Sequence, residues 1–212
     1  MQPAYYEDFI EIKKKIWLML DDAVKNRASQ FRIPTFICGN DNNIDGRIVV
    51  LRKSDQSNNL VQFHSDIRSD KIEILKKNPN ASMLFYDKDE KIQVRLKVNC
   101  VINHKNEITK TSWDKTQHIS RKCYLVDKGP GTVSDVPTSG LKPELDNFDY
   151  TKEQSEEGYK NFTVIQCKIK SIEWLYLAAK GHRRARFDLE NSKDSWLVPV
   201  SYTHLRAHET TR

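Results

Sequence analysis

The sequence predicts a mainly β fold: an antiparallel sheet closed into a barrel, with helices at its periphery. Three observations support this fold class. Short apolar segments alternate with a period of two residues, polar turns separate several of them, and segments with helical periodicity stand between the resulting hairpins. Because turns this short join antiparallel strands, we expect most neighbouring strands to run in opposite directions.

The first half of the chain supplies a helix, three strands and a second helix. Apolar residues recur at helical spacing over 5–26, and alternation or β-branched content predicts strands over 31–38, 47–53 and 60–65. The polar residues 55–59 form a hairpin turn between the last two. Residues 67–77 read as a helix with Ser65 or Asp66 as its N-cap, and this helix ends before Pro79.

The second half begins with a hairpin of strands over 82–87 and 91–101. In the latter, alternation places Ile92, Val94, Leu96 and Val98 on a core face and Gln93, Arg95 and Lys97 on a polar face. One or two helices are predicted over 107–126, a long loop rich in Gly, Pro, Ser and Asp over 127–147, and a short helix over 150–160. Strands are then expected over 162–177, with a break near Ser171, and over 183–189, followed by a closing segment at 196–199.

Composition limits the class of protein and its partners. The 212 residues suit one domain, predicted over 1–200, and residues 201–212 lack an apolar period and are interpreted as a non-native tail. A net charge of +6 favours anionic partners, either phosphorylated small molecules or nucleic acid. The four cysteines form no CxxC pair and the histidines show no ligand spacing, so no metal site is predicted. No signal-peptide pattern or membrane span is found, so we expect a cytoplasmic protein without a membrane partner.

One stretch, residues 46–71, concentrates the groups that bind anions. A strand with an arginine at each end leads through a hairpin to a turn that opens a helix. The positive end of a helix attracts phosphate, and Ser65, Arg68, Ser69 and Lys71 can add charge-assisted hydrogen bonds. The alternative is a charged face exposed to water, which is what most charge-rich segments form. Motifs of dinucleotide-binding folds, P-loops, HExxH zinc enzymes and GxSxG hydrolases are absent.

Four motifs occur in a characteristic order: RIVVLR at 47–52, FHSDIRSDK at 63–71, QVRL at 93–96 and RRARF at 183–187. With them, the sequence resembles the pyridoxamine 5′-phosphate oxidase family of FMN-binding split barrels over residues 5 to 199. The resemblance implies an antiparallel split β-barrel and FMN as the cofactor. It also implies a homodimer with FMN at the interface, so that some ligands come from the partner chain. The cofactor-binding residues implied are Arg47, Val49, Val50, Leu51, Arg52, His64, Ser65, Arg68, Ser69, Lys71, Gln93 and Arg186.

The resemblance further implies an oxidoreductase that transfers a hydride between FMN and a small substrate, phosphorylated or not. Arg52, Ser120, Arg121 and Arg184 are the predicted substrate-binding residues, and no acid–base pair identifies a catalytic residue. Where the family spaces Tyr, Arg and Ser at four-residue intervals, this sequence has Trp113, Gln117 and Arg121, so the substrate stays open. The alternatives are a flavin- or haem-binding split-barrel protein with little turnover, and a basic nucleic-acid-binding barrel. The predicted polar face at 93–97 lacks the aromatic residues that bind single strands, which argues against the last.

Overall fold

The computed structural model describes residues 6–40, 43–141, 145, 151–178 and 181–199. The predicted tail at 201–212 lies outside the described residues, as do 142–144 and 146–147 of the predicted loop. Among the described helices, none combines the length and the apolar run that a membrane span requires.

Nine strands form one antiparallel sheet within the described residues. The strands are β1 Thr35–Asn40, β2 Asn43–Ile48, β3 Leu51–Asp55, β4 Leu60–Asp66, β5 Asn80–Asp87, β6 Ile92–Asn103, β7 Phe162–Tyr176, β8 Arg183–Asp188 and β9 Lys193–Leu197. Their order is β2-β1-β5-β6-β7-β4-β3, and β8 and β9 extend from the second half of β7. No ladder joins β2 to β3 in this part of the chain, so the barrel is split rather than closed as the strand pattern alone predicted.

The helices lie around this sheet. They are α1 Phe9–Lys25, α2 Asp70–Lys77, α3 Glu107–Asp114, α4 His118–Arg121 and α5 Lys152–Glu156, and short 3-10 helices cover Gln30–Arg32, Lys122–Tyr124 and Glu157–Asn161. The predicted fold class, mainly β with peripheral helices, is therefore confirmed.

The main core fills the barrel and the space beneath α1. The inward residues of the strands, such as Phe36, Phe63 and Leu96, are fully buried, and the apolar stripe of α1 covers one end through Ile16 and Leu20. A second, smaller cluster of Trp113, Tyr124, Phe162 and Val164 lies beneath α3. Burial alternates along β6 as predicted, with Ile92, Val94, Leu96 and Val98 inside. The predicted break in β7 is also found, because the pairing with β6 shifts register between Ser171 and Ile169.

Two predicted boundaries near the anion-binding stretch are wrong. The strand predicted over 47–53 is two strands, because the chain leaves β2 at Ile48 and enters β3 at Leu51, and the Val49 N–H donates to the carbonyl of Pro34. The helix predicted from Ile67 begins at Asp70, with Ser69 rather than Ser65 or Asp66 at the N-cap. The cause is local: the Asp66 carboxylate accepts the N–H of Arg68 and holds residues 66–69 in a turn.

Candidate functional site

A buried lysine at the start of α2 is the central feature of the site. Lys71 is 8% exposed, and its Nζ lies 2.8 Å from Ser65 Oγ and 3.0 Å from Ser69 Oγ. The described residues offer no carboxylate partner and no third acceptor to this ammonium group. Buried lysines are nearly always paired, so this cluster of one cation and two hydroxyls has the composition of an anion-binding site.

The fold brings these three residues together from two elements. Val61, Phe63 and Ser65 point into the barrel from β4, so the Ser65 hydroxyl lies at the end of the core. The Ser69 hydroxyl does not cap α2 but donates to the Asp66 carbonyl at 2.7 Å, which holds its oxygen toward Lys71. Burial, with a contribution from the charge of Arg47, lowers the pKa of Lys71 to about 8. A nearby dianion would relieve both effects.

Arg47 adds a second cation to this end of the barrel. It lies on β2 opposite Phe36 of β1, and in this structure it forms an ion pair with Asp45 on its own strand. Its charge acts on Lys71 and also on the buried thiol of Cys38, whose pKa burial raises and Arg47 lowers. The predicted neighbours Val49 and Leu51 are buried and Val50 is half-buried at the break between β2 and β3.

Arg52 and His64 line a different region, a cleft of about 710 Å³. Arg52 occupies a β-bulge, because β3 pairs with β4 through Leu51 and Phe63 and then through Lys53 and Gln62. The bulge turns the Arg52 side chain into the cleft, beside His64, which points away from the barrel interior where Ser65 points in. Burial, with a contribution from Arg52, lowers the pKa of His64 to about 3, so the imidazole is neutral at physiological pH.

The walls of this cleft come from helices. The end of α1 and the turn after it form one wall, and α3, α4 and their connection form the other, which includes the predicted Ser120. Its polar and charged lining residues are Lys25, Arg27, Arg32, Arg52, Lys53, Gln62, His64, Glu107, Thr111, Ser112, Lys115, Thr116, Gln117, Ser120 and Gln166. The cleft is therefore polar and carries an excess of positive charge.

Gln93, Arg184 and Arg186 lie in a third place, on the outer face of β6, β7 and β8. Glu173 of β7 stands at the centre of this face, where it pairs with Arg95, with Arg184 at 2.8 Å and with Arg186 at 3.4 Å. Burial raises the pKa of Glu173, but Arg95 and Arg184 outweigh it and leave this pKa below its ordinary value. The half-exposed Tyr86 lies opposite Gln93, so this face does hold an aromatic ring, contrary to what the sequence predicted.

Two predicted ligands have structural partners instead. Arg68 pairs with the Asp66 carboxylate and donates to the carbonyls of Val126 and Asp127, so it fastens the following loop to the helix start. Arg121 is 3% exposed, stacks on Trp113 and pairs with Glu156 at 2.5 Å. Its guanidinium points into the small core and away from the cleft, so this geometry gives no support to a role in substrate binding.

Glu173 and Arg27 were not identified from the sequence. Glu173 is the acidic residue in a long apolar strand, a signal that could have predicted a buried ion pair with the arginines of RRARF. Arg27 follows the end of α1 and gives no signal, because only the fold places it opposite α3. Among the described residues, no group of three His, Cys, Asp or Glu side chains is placed to hold a metal ion.

Comparison with known proteins shows which family this sequence is similar to. The family described as "Pyridoxamine 5'-phosphate oxidase, FMN-binding domain" matches a segment that contains Arg47, Arg52, Lys71 and Gln93. The match covers residues 14–104. It confirms the resemblance inferred from the sequence motifs. Among proteins with curated descriptions, none matches this sequence.

Solved structures agree with the family at the level of the fold. A pyridoxamine 5′-phosphate oxidase-related, FMN-binding protein from Nostoc punctiforme has a TM-score of 0.69 at 17% identity, covering 94% of this chain and 100% of that one. PhzG from Burkholderia lata, solved with tetrahydrophenazine-1-carboxylic acid, has a TM-score of 0.67 at 16% identity, covering 94% of this chain and 98% of that one. At these sequence identities, the structural similarity shows the fold alone, which is the split barrel.

Proposed function

We propose that this chain binds FMN and acts as an FMN-dependent oxidoreductase on a small-molecule substrate. The observation that carries the proposal is the Lys71 cluster: a buried ammonium group held by two serine hydroxyls, with a second cation nearby and no carboxylate bonded to it. A phosphate monoester fits this donor set, because it would bring two negative charges and several acceptor oxygens to a buried ammonium group that has no carboxylate bonded to it. The family match over the same segment supports FMN as the source of that phosphate.

The remaining predicted residues have roles that suit the rest of the cofactor. Arg47 would share its charge between Asp45 and the phosphate, and the segment Val49–Leu51 would flank the ring. Arg52 and Gln93 are donors suited to the polar edge of the isoalloxazine. When bound, FMN supplies hydride exchange with the substrate, and the protein supplies the binding and the electrostatic environment.

We also propose a homodimer in which the cofactor is shared. Within one chain, Lys71, Ser65 and Ser69 lie at the end of the barrel interior, whereas Gln93 and Arg186 lie on the outer face of the sheet around Glu173. A ligand that used both sets would bridge two copies of the chain. Light scattering on the flavin-loaded protein should give twice the chain mass, and a monomer that keeps its flavin would contradict this arrangement.

The test of the cofactor is direct. Purified protein supplied with FMN should retain flavin through gel filtration and show its absorption bands, and denaturation should release FMN. Lys71→Met should lose most of this flavin, whereas Lys77→Met, an exposed lysine on the same helix, should not. Equal flavin retention in the two variants would contradict the assignment. Oxidoreductase activity is then tested by anaerobic bleaching of the bound flavin with candidate substrates.

A second candidate function, flavin binding with little turnover, is favoured by the chemistry of the cleft. His64 has a pKa of about 3 and Glu107 is exposed at the rim, so neither suits general acid–base catalysis at neutral pH. A flavin that binds tightly but is bleached only by dithionite would support this candidate. A colourless protein with salt-sensitive oligonucleotide binding would instead support the nucleic-acid-binding alternative.

A further inference from the structure

Arg47, the second cation near Lys71, is held by a carboxylate of its own strand, that of Asp45. Across the β1–β2 ladder, Asp45 lies opposite Cys38 and Arg47 lies opposite Phe36. Residues directly opposite in an antiparallel ladder point to the same face, and both Phe36 and Cys38 are buried in the core of the barrel. The side chains of Asp45 and Arg47 therefore lie on the face of β2 that turns toward the barrel interior.

The thiol of Cys38 relates this ion pair to the Lys71 cluster. Burial raises the pKa of Cys38, and the charges of Arg47 and Lys71 oppose this effect by lowering it. Both cations thus act on one buried thiol, and Asp45 is the residue opposite that thiol in the ladder. The Asp45 carboxylate is therefore at the same end of the barrel as the Lys71 ammonium group.

The Asp45–Arg47 pair is exposed enough for its partners to exchange. The exposed fractions of the two side chains are 37% for Asp45 and 27% for Arg47, and β2 is an edge of the sheet in the described part of the chain. Exposed ion pairs contribute little to stability, so a ligand of higher charge can displace such a carboxylate. Asp66 differs from Asp45, because its carboxylate accepts two hydrogen bonds from the Arg68 guanidinium within the turn before α2.

We propose that Asp45 limits the affinity of this site for a phosphate group by competing with it for Arg47. In the absence of a ligand, the carboxylate holds the guanidinium. A phosphate monoester at the Lys71 cluster must draw Arg47 away from Asp45, and it is then repelled by the carboxylate that it has displaced. That the phosphate belongs to FMN rests on the proposed function, whereas the competition for Arg47 does not. The proposal assigns control of affinity to a residue outside the motifs that predicted the cofactor site.

Titration of the flavin-free protein with FMN and with riboflavin, followed by flavin fluorescence at pH 7, tests the proposal. Asp45→Asn should bind FMN about three- to tenfold more tightly than the wild type, since it removes a competing charge beside a partly exposed guanidinium. Its affinity for riboflavin should stay within about twofold, because riboflavin has no phosphate to compete for Arg47. Glu11→Gln removes an exposed carboxylate that pairs with Lys14 on α1, so it is the control and should change neither affinity.

The Arg47→Gln background distinguishes competition from simple repulsion. Arg47→Gln alone should weaken FMN about tenfold or more, because it removes a charged donor to the phosphate. Adding Asp45→Asn to this variant should tighten FMN by no more than about twofold, since no guanidinium is left to be released. An equal gain in both backgrounds would overturn the proposal. Weaker FMN binding by Asp45→Asn alone would also overturn it, because the carboxylate would then orient Arg47 for the ligand.

Inorganic phosphate separates this inference from the proposed function. We expect phosphate to raise the melting temperature of the flavin-free protein, and to raise it further in Asp45→Asn. If phosphate has these effects but no flavin binds, the proposed function is refuted alone. If FMN binds equally to the wild type, Asp45→Asn and Glu11→Gln, this inference is refuted alone. A protein that binds neither FMN nor phosphate would refute both.

Discussion

Replacement of Lys71 with methionine is expected to stabilise the flavin-free protein and to weaken FMN binding at the same time. The ammonium group is buried with two serine hydroxyls, and its pKa is about 8 instead of the ordinary 10.5. At neutral pH the folded protein must therefore hold a charge that its surroundings disfavour. Methionine has a similar shape and carries no charge, so it removes this unfavourable contribution.

The magnitude follows from the pKa. A change from 10.5 to about 8 means that the charged form is disfavoured in the folded state by roughly 3 kcal/mol. Methionine loses the two hydrogen bonds to Ser65 and Ser69, together about 1–2 kcal/mol. The two hydroxyls keep each other as partners at 3.2 Å, so neither is left unsatisfied. The expected net gain at pH 7 is about 1–2 kcal/mol of unfolding free energy.

The pH dependence gives a sharper test than the size of the gain. Between about pH 8 and pH 10.5 the unfolded chain binds a proton that the folded protein has released, so the wild type gains stability as pH rises through this window. The variant lacks this gain. Urea unfolding of both flavin-free proteins should thus show the difference shrinking from pH 7 to about pH 9.5, with Lys77→Met as the control.

Two results would refute this reasoning. If Lys71→Met is less stable than the wild type at pH 7, then the charged lysine stabilises the flavin-free protein, and the claim that its surroundings disfavour the charge is wrong. If the difference between the proteins is the same at both pH values, the ammonium group does not titrate in this window and its environment is not the one described.

Three further predictions concern residues outside this cluster. Arg68→Ala should leave FMN affinity within about twofold but speed trypsin cleavage at Lys128, because the hydrogen bonds from Arg68 to the carbonyls of Val126 and Asp127 hold this loop in place. An unchanged rate of cleavage would contradict this role. Glu173→Gln should lower the unfolding free energy by about 1–3 kcal/mol at pH 7. This difference should shrink as pH falls below the ordinary range of a glutamate and through the lowered pKa of the wild-type carboxyl, and a difference that grows as pH falls would contradict the ion pairs. His64→Gln should flatten the acid limb of the stability curve, because the unfolded wild type binds a proton below pH 6.5 that the folded protein accepts only near pH 3. Parallel acid limbs in the two proteins would contradict the half-buried, neutral imidazole.

The sheet could be predicted from the sequence because its signals are local. Alternation along Ile92–Val98 predicts the buried face of β6, and the break expected near Ser171 coincides with the register shift between β6 and β7. The pair of strands in place of one at 47–53 could not be predicted this way. The β-branched side chain of Val49 favours a strand, so the sequence gives no sign of the interruption. Val49 leaves the strand because its N–H donates to the carbonyl of Pro34, a partner set by the packing of β1.

The candidate site was predictable in its residue types but not in its pairings. Ser65, Ser69 and Lys71 meet as the sequence suggested, since a strand and the helix after it bring them together locally. The sequence predicts substrate binding for Arg121, but the structure pairs it with Glu156. This pairing could not be foreseen, because Glu156 lies 35 residues further along the chain and only the fold brings the two together. The positive cleft could not be predicted for the same reason, since its walls come from segments about 80 residues apart in the chain.

The central claim is that the Lys71 cluster holds the phosphate of FMN. It is tested most directly by titrating the flavin-free protein with FMN and with riboflavin, which differ only in that phosphate, and following flavin fluorescence at pH 7. FMN should bind roughly 100-fold or more tightly than riboflavin, since a buried ammonium and a second cation each contribute about 1.5–3 kcal/mol to a charged acceptor. Equal affinities for the two flavins would contradict the claim.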